Sequence, residues 1–118
     1  MTRYLLDRQA AMLKALGHPV RLRIVELLSG WPAGGGERCV CEIIPALGLD
    51  QSAVSKHLAV LRGHGVLNAR RDGSRVLYSL AGPGIAEMAR LARELCLERM
   101  AEAGREISAL RGAADGEH

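Results

Sequence analysis

Apolar residues in the first 30 positions recur at helical spacing. Leu5, Leu6, Met12, Leu13 and Leu16 share one broad face of a helix predicted from Arg3 to Leu16. Gly17 closes it, as a glycine just past a helix end does, and Pro19 opens a second helix ending near Ser29. Val20, Leu22, Ile24, Val25, Leu27 and Leu28 make this second helix apolar nearly all round, which predicts a central place for it. Gly30 to Gly36 reads as a loop. A short helix is predicted from Val40 to Leu47, and Gly48 and Leu49 form a tight turn. Asp50 then caps a fourth helix, Gln51 to about Arg62. In it Val54, Leu58 and Leu61 face inward, while Gln51, Ser52, Ser55, Lys56, Ala59 and Arg62 face outward. Two strand-like runs follow, Val66 to Arg70 and Arg75 to Leu80, joined through Asp72-Gly73 as a type I′ hairpin. Gly82-Pro83-Gly84 breaks the chain before a long final helix, about 85–111, carrying Met88, Leu91, Ala92, Leu95, Met100, Ala103 and Ile107. Residues 112–118 read as a disordered tail.

Composition narrows this picture. The chain has 118 residues, 48% hydrophobic and 25% charged, which fits one globular domain over residues 1–111. Phe is absent and the aromatics are Tyr4, Trp31 and Tyr78, so a core of Leu, Ile, Val and Ala suits a mainly α fold with a small β-hairpin (α+β). No run approaches the length of a membrane span, and Asp7, Arg8 and Lys14 interrupt the N-terminal apolar pattern, so a cytoplasmic protein with no membrane partner is expected. Three cysteines is an odd number, and no disulfide framework is expected in a reducing compartment.

Charge is uneven. Residues 51–75 hold Lys56, Arg62, Arg70, Arg71 and Arg75 against the single acid Asp72. Residues 76–118 hold five Arg against seven acids. A basic stretch on a compact element is the footprint of phosphate binding. Helix, tight glycine turn, helix and charged hairpin together form a winged helix-turn-helix. Its second helix presents a polar N-terminal face to the major groove of double-stranded operator DNA. Gln51, Ser52 and Ser55 are short donors and acceptors suited to base edges and phosphates, and Lys56 attracts phosphate. Arg71 and Arg75 flank the hairpin tip, within reach of the backbone or minor groove. His57 sits at the edge of the buried face, where packing competes with a phosphate contact, and His18 is placed to cap the second helix.

The stretches LKALGHPVRLRIVELLSG, ERCVCEIIPALGLDQSAVSKHLAVLRGHGVL and ARRDGSRVLYSL resemble the ArsR/SmtB family of bacterial metal-sensing repressors. The resemblance covers roughly Leu13 to Leu80. It implies a homodimer joined by terminal helices that sits on operator DNA and leaves it when an inducer binds. The family's recognition-helix pattern falls on Gln51, Ser52, Ser55, Lys56, His57 and Leu58, and Arg62, Arg71 and Arg75 complete the expected DNA-binding set. ERCVCEI resembles the family's ELCVCDL motif, the signature of its arsenic, antimony, cadmium and lead sensors. Thiolates are soft ligands and select soft ions. The resemblance therefore implies As(III) or Sb(III) as inducer, held by Cys39, Cys41 and, as the remaining thiol, Cys96. The N-terminal cysteines of the cadmium and lead sensors are missing, and Ile85 to Met100 contains no His or Asp for the family's zinc-type site.

Spacing adds a constraint. On an ideal helix each residue turns ~100°, so positions i and i+2 point about 200° apart. Cys39 and Cys41 on such a helix do not share an ion, and the first turn is expected to unwind in the bound state, straining the support of the recognition helix. An alternative uses the same thiols in a persulfide or redox sensor that links Cys39 or Cys41 to Cys96. Cys96 shares a face with Ala89, Ala92, Met100 and Ala103, where it also suits a helix interface. An enzyme is not expected, because C-x-C lacks the spacing of thiol reductases and no acid/base pair accompanies it.

Overall fold

The computed structural model describes residues 2–30 and 36–116. Trp31 and most of the predicted loop lie outside the described residues. The elements run α1 (Thr2–Leu16), α2 (Pro19–Gly30), β1 (Arg38–Cys39), α3 (Val40–Leu47), α4 (Gln51–Gly63), β2 (Leu67–Asp72), β3 (Arg75–Leu80) and α5 (Pro83–Gly116). The chain divides into two compact units, Met1–Glu87 and Met88–His118.

In the first unit, Ile24, Val25 and Leu28 of α2 are buried, as the all-round apolar pattern predicts. They are joined in the core by Ile43 of α3, by Val54, Leu58 and Leu61 of α4, and by Val66, Leu67 and Leu77 of the wing. Each fully buried Leu, Ile or Val contributes about 1.5–3 kcal/mol relative to an exposed one. The spacing of Val54, Leu58 and Leu61 thus orients α4, and its opposite face is left to solvent. The corner between α1 and α2 is held by polar groups. Val20 N–H donates to His18 Nδ1 at 3.1 Å, capping α2 as the sequence suggests. Arg21 Nε donates to the Ala15 carbonyl at the end of α1.

Between α3 and α4 the chain turns at Gly48, whose φ of 68° lies in the left-handed region that glycine enters without a Cβ clash. Its N–H donates to the Ile44 carbonyl at 3.1 Å. Asp50 is extended and its Oδ1 accepts from Ala53 N–H at 2.7 Å, capping α4.

The sheet departs from the sequence reading. It has three strands in the order β1-β3-β2, all antiparallel, where the pattern predicts two. A two-residue strand carries no alternation to detect. The hairpin loop is Gly73-Ser74, closed by the pair Asp72↔Arg75, rather than Asp72-Gly73. Gly73 has φ of 64° and Ser74 is not in the positive region, so the type I′ turn, which needs both, is replaced by one with glycine alone at the first position.

The second unit is the body of α5. The helix begins at Pro83, in the first helical turn where a missing N–H is harmless, and continues through Gly104 and Gly112 to Gly116. It runs past residue 112, where a disordered tail is expected, because nothing after Gly84 breaks the helical pattern strongly. Residues 90–112 are exposed throughout, among them Leu91, Leu95, Leu97, Met100, Ile107 and Leu110. Among the described residues of this unit, none from 90 to 112 is buried. No described helix is long and apolar enough to cross a membrane.

Candidate nucleic-acid interface and cysteine pair

With Asp50 satisfying the first turn of α4, Gln51, Ser52, Ser55 and Lys56 stand exposed on its N-terminal half. Arg62 is exposed at its far end. Arg71 and Arg75 are exposed on either side of the wing turn, and Arg75 NH2 lies 3.9 Å from Asp72 Oδ2. These seven of the eight predicted DNA contacts are accessible together on the first unit.

His57 is the exception. Its ring is half-buried, 4.5 Å centroid to centroid from His18, with Arg21 NH1 3.4 Å from its Nδ1. Burial first, then the positive neighbours His18 and Arg21, hold the imidazole below its ordinary histidine value. His57 thus packs against the His18 ring and beside Arg21 of α2.

The sequence reading missed Glu37. Its carboxylate meets Arg70 of β2 in a two-pronged pair, with Arg70 Nε donating to Oε2 and NH2 donating to Oε1 at 2.7 Å. The hydrogen bonds from Arg70 hold the Glu37 carboxyl below the usual range, and Glu37 in turn raises the Arg70 guanidinium. Opposite charges 33 positions apart carry no sequence signal until the strand register is known.

Cys39 ends β1 and caps α3 with φ −69° and ψ 147°, an extended conformation outside the helix. Its N–H donates to Glu42 Oε1 at 3.2 Å, and its Sγ accepts from Cys41 N–H at 3.1 Å. Cys41 lies in the first helical turn, with its Cα 5.1 Å from that of Cys39, and the two are joined by a disulfide. The 200° separation expected on an ideal helix does not arise, because Cys39 is not helical. The sulfurs meet without unwinding α3. Cys39 is only 3% exposed, whereas Cys41 is open to solvent. The pairing also differs from a link to Cys96, which is a free, exposed thiol on α5 in the second unit. Among the described residues no three His, Cys, Asp or Glu side chains gather as a metal site.

The register places the pair. Cys39 lies opposite Leu77, and Leu77 lies opposite Arg70. Cys39 therefore joins the wing sheet to the first helix of the helix-turn-helix. Chemistry at its sulfur acts at the junction of the sheet and α3.

Residues 18–69 match the bacterial regulatory protein, arsR family. An HTH-type transcriptional regulator of Mycobacterium tuberculosis is 42% identical over 87 residues, covering 74% of this chain and 73% of the relative. A probable mercury resistance operon repressor of Streptomyces lividans is 35% identical over 95 residues, covering 80% of this chain and 72% of the relative. The solution structure of a homodimeric winged helix-turn-helix DNA-binding domain from Mycobacterium bovis, titled a possible ArsR-family regulator, superposes with a TM-score of 0.74 at 34% identity. The match covers 84% of this chain and 87% of that one. The fold, the exposed recognition face and these relatives agree, and the chain belongs to the ArsR/SmtB family of helix-turn-helix transcriptional regulators.

Proposed function

We propose that the protein is a homodimeric repressor that binds operator DNA through α4 and the wing and releases it when a soft, thiophilic inducer engages Cys39 and Cys41. The observation that carries this reading is the meeting of the two sulfurs at the N-cap of α3, one buried and one open to solvent. Once the disulfide is reduced, the pair gives an incoming ion a first thiolate at the surface and a second one inside. Thiolate ligands favour soft ions over hard ones. As(III) or Sb(III) is the inducer assigned, and the third thiolate of such a trivalent centre is assigned from the sequence to Cys96. The name of the Streptomyces relative, a mercury resistance repressor, supports a soft ion at a related regulator.

The test is release of fluorescent operator DNA by arsenite, antimonite and Hg(II), using wild type and the variants Cys39→Ser, Cys41→Ser and Cys96→Ser. Release by arsenite that is lost in all three variants supports the three-thiolate reading. Normal release by Cys96→Ser reduces the site to the pair. Persistence of release in both Cys39→Ser and Cys41→Ser overturns the site.

The disulfide between Cys39 and Cys41 favours a second reading, in which oxidation closes the pair and reduction opens it. An oxidant that takes up two electrons from the pair then releases DNA where arsenite does not, and mass spectrometry finds the loss of two hydrogen atoms within the segment that holds both cysteines.

A further inference from the structure

Arg70 is one of three arginines on the wing, but its surroundings differ from those of Arg71 and Arg75. Two of its five N–H donors, on Nε and NH2, are engaged by Glu37, and Asp72 lies close enough to raise its guanidinium further. Arg71 and Arg75 flank the turn itself, and Arg75 NH2 lies 3.9 Å from Asp72 Oδ2. Glu37 comes from the segment just before β1, which lies on the far side of β3 from β2. The pair thus ties the outer strand of the wing to the opposite edge of the sheet.

Both partners are substantially exposed, with side-chain exposures of 57% for Arg70 and 37% for Glu37, so burial does not lock them together. The two-pronged geometry does. A planar guanidinium matched to a carboxylate by two parallel hydrogen bonds is pre-oriented. Moving Arg70 onto a phosphate would leave the Glu37 carboxylate unpaired beside the negative backbone.

We propose that Glu37 sets the sequence-independent affinity of the DNA interface: it holds Arg70 away from the phosphates and so limits the charge that the wing offers to any duplex. Phosphate contacts strengthen binding to every sequence alike, whereas base contacts from α4 discriminate. Withholding one guanidinium therefore lowers affinity for random and operator DNA alike, and shortens the time spent at non-specific sites. The inference rests on the wing lying against DNA, as the proposed function has it.

The experiment measures the slope of log affinity against log salt concentration, for operator and for random duplex DNA, in the full-length protein. Each phosphate contact contributes about 0.9 to this slope. Glu37→Gln is expected to steepen the slope by about one and to raise affinity for random and operator DNA by a similar factor. Arg70→Gln alone is expected to leave the slope unchanged, and Glu37→Gln with Arg70→Gln to return it to the wild-type value. That return excludes loss of the carboxylate's own repulsion as the cause. An unchanged slope in Glu37→Gln, a decrease in Arg70→Gln, or a steep slope that persists in the double variant overturns the proposal. Arg75→Gln is the control for the underlying reading. If its slope equals that of wild type, the wing is not on the DNA and the inference falls together with that reading. If it drops by about one, the Glu37 result stands or fails on its own.

Discussion

At the scale of single residues, the backbone conformation of Cys39 decides the chemistry available. Helical geometry separates i and i+2, and an extended N-cap brings them together. Sequence spacing alone does not tell which applies, because a Cys at a helix start has no established capping preference to read. Serine is a strong N-cap. Cys39→Ser is therefore expected to fold and bind operator within a few-fold of wild type while losing release by arsenite; a loss of operator binding in this variant contradicts the assignment. His57 was legible only as a residue at the edge of the buried face, because its neighbours His18 and Arg21 are 39 and 36 positions away. In the unfolded chain its imidazole titrates near 6.5, and in the folded protein burial, then His18 and Arg21, hold it lower. As pH falls the unfolded chain takes up the proton first. The stability that His57 allows is complete above about 6.5 and is lost as pH drops through the folded-state value. Thermal melts from pH 8 to 5 are expected to show a steeper acid decline for wild type than for His57→Gln, and parallel curves contradict it.

At the scale of elements, α4 was read almost residue by residue. An aspartate cap, a glycine terminus and an i, i+4, i+7 stripe are all local signals, and Val54, Leu58 and Leu61 are buried as that stripe requires. Asp50→Ala removes the bond to Ala53 N–H and is expected to cost about 1 kcal/mol, lowering the melting midpoint by roughly 4–8 °C. Asp50→Asn retains most of the cap, and equal melting of the two variants argues against it. The wing was less legible. Its long strands alternate and were found, but Arg38–Cys39 is too short to show a period, and its pairing with Tyr78 and Leu77 is purely non-local. The hairpin turn was displaced by one residue because Asp-Gly and Gly-Ser are both good turn dipeptides, and the register of β2 against β3 settles between them. Lys56→Gln and Arg75→Gln are each expected to reduce the salt slope of operator binding by about one. An unchanged slope for Lys56→Gln removes α4 from the phosphate contacts.

At the scale of the whole molecule, no described residue from 90 to 112 is buried, and α5 exposes Leu91, Leu95, Met100 and Ile107 along its length. Leu91 and Leu95, one turn apart, share one side of α5, and Met100 and Ile107 share another; exposed apolar side chains of this kind suit a helix interface. Leu95→Glu together with Met100→Glu is expected to turn a dimer into a monomer by light scattering and to weaken operator binding at least tenfold. A stable dimer from that variant moves the interface elsewhere. The family was legible from the sequence because its signature is a run of local motifs, and the M. bovis homodimer shows the same fold. The state of the thiols was not, since it depends on the meeting of β1, β3 and α3. The central claim is that chemistry at the Cys39–Cys41 pair controls occupancy of the operator. The direct measurement is fluorescence anisotropy of labelled operator with fully reduced protein, titrated with arsenite beside Cys41→Ser. The account predicts that arsenite lowers wild-type operator affinity at least tenfold and leaves Cys41→Ser within twofold. Equal arsenite responses from the two proteins would contradict it.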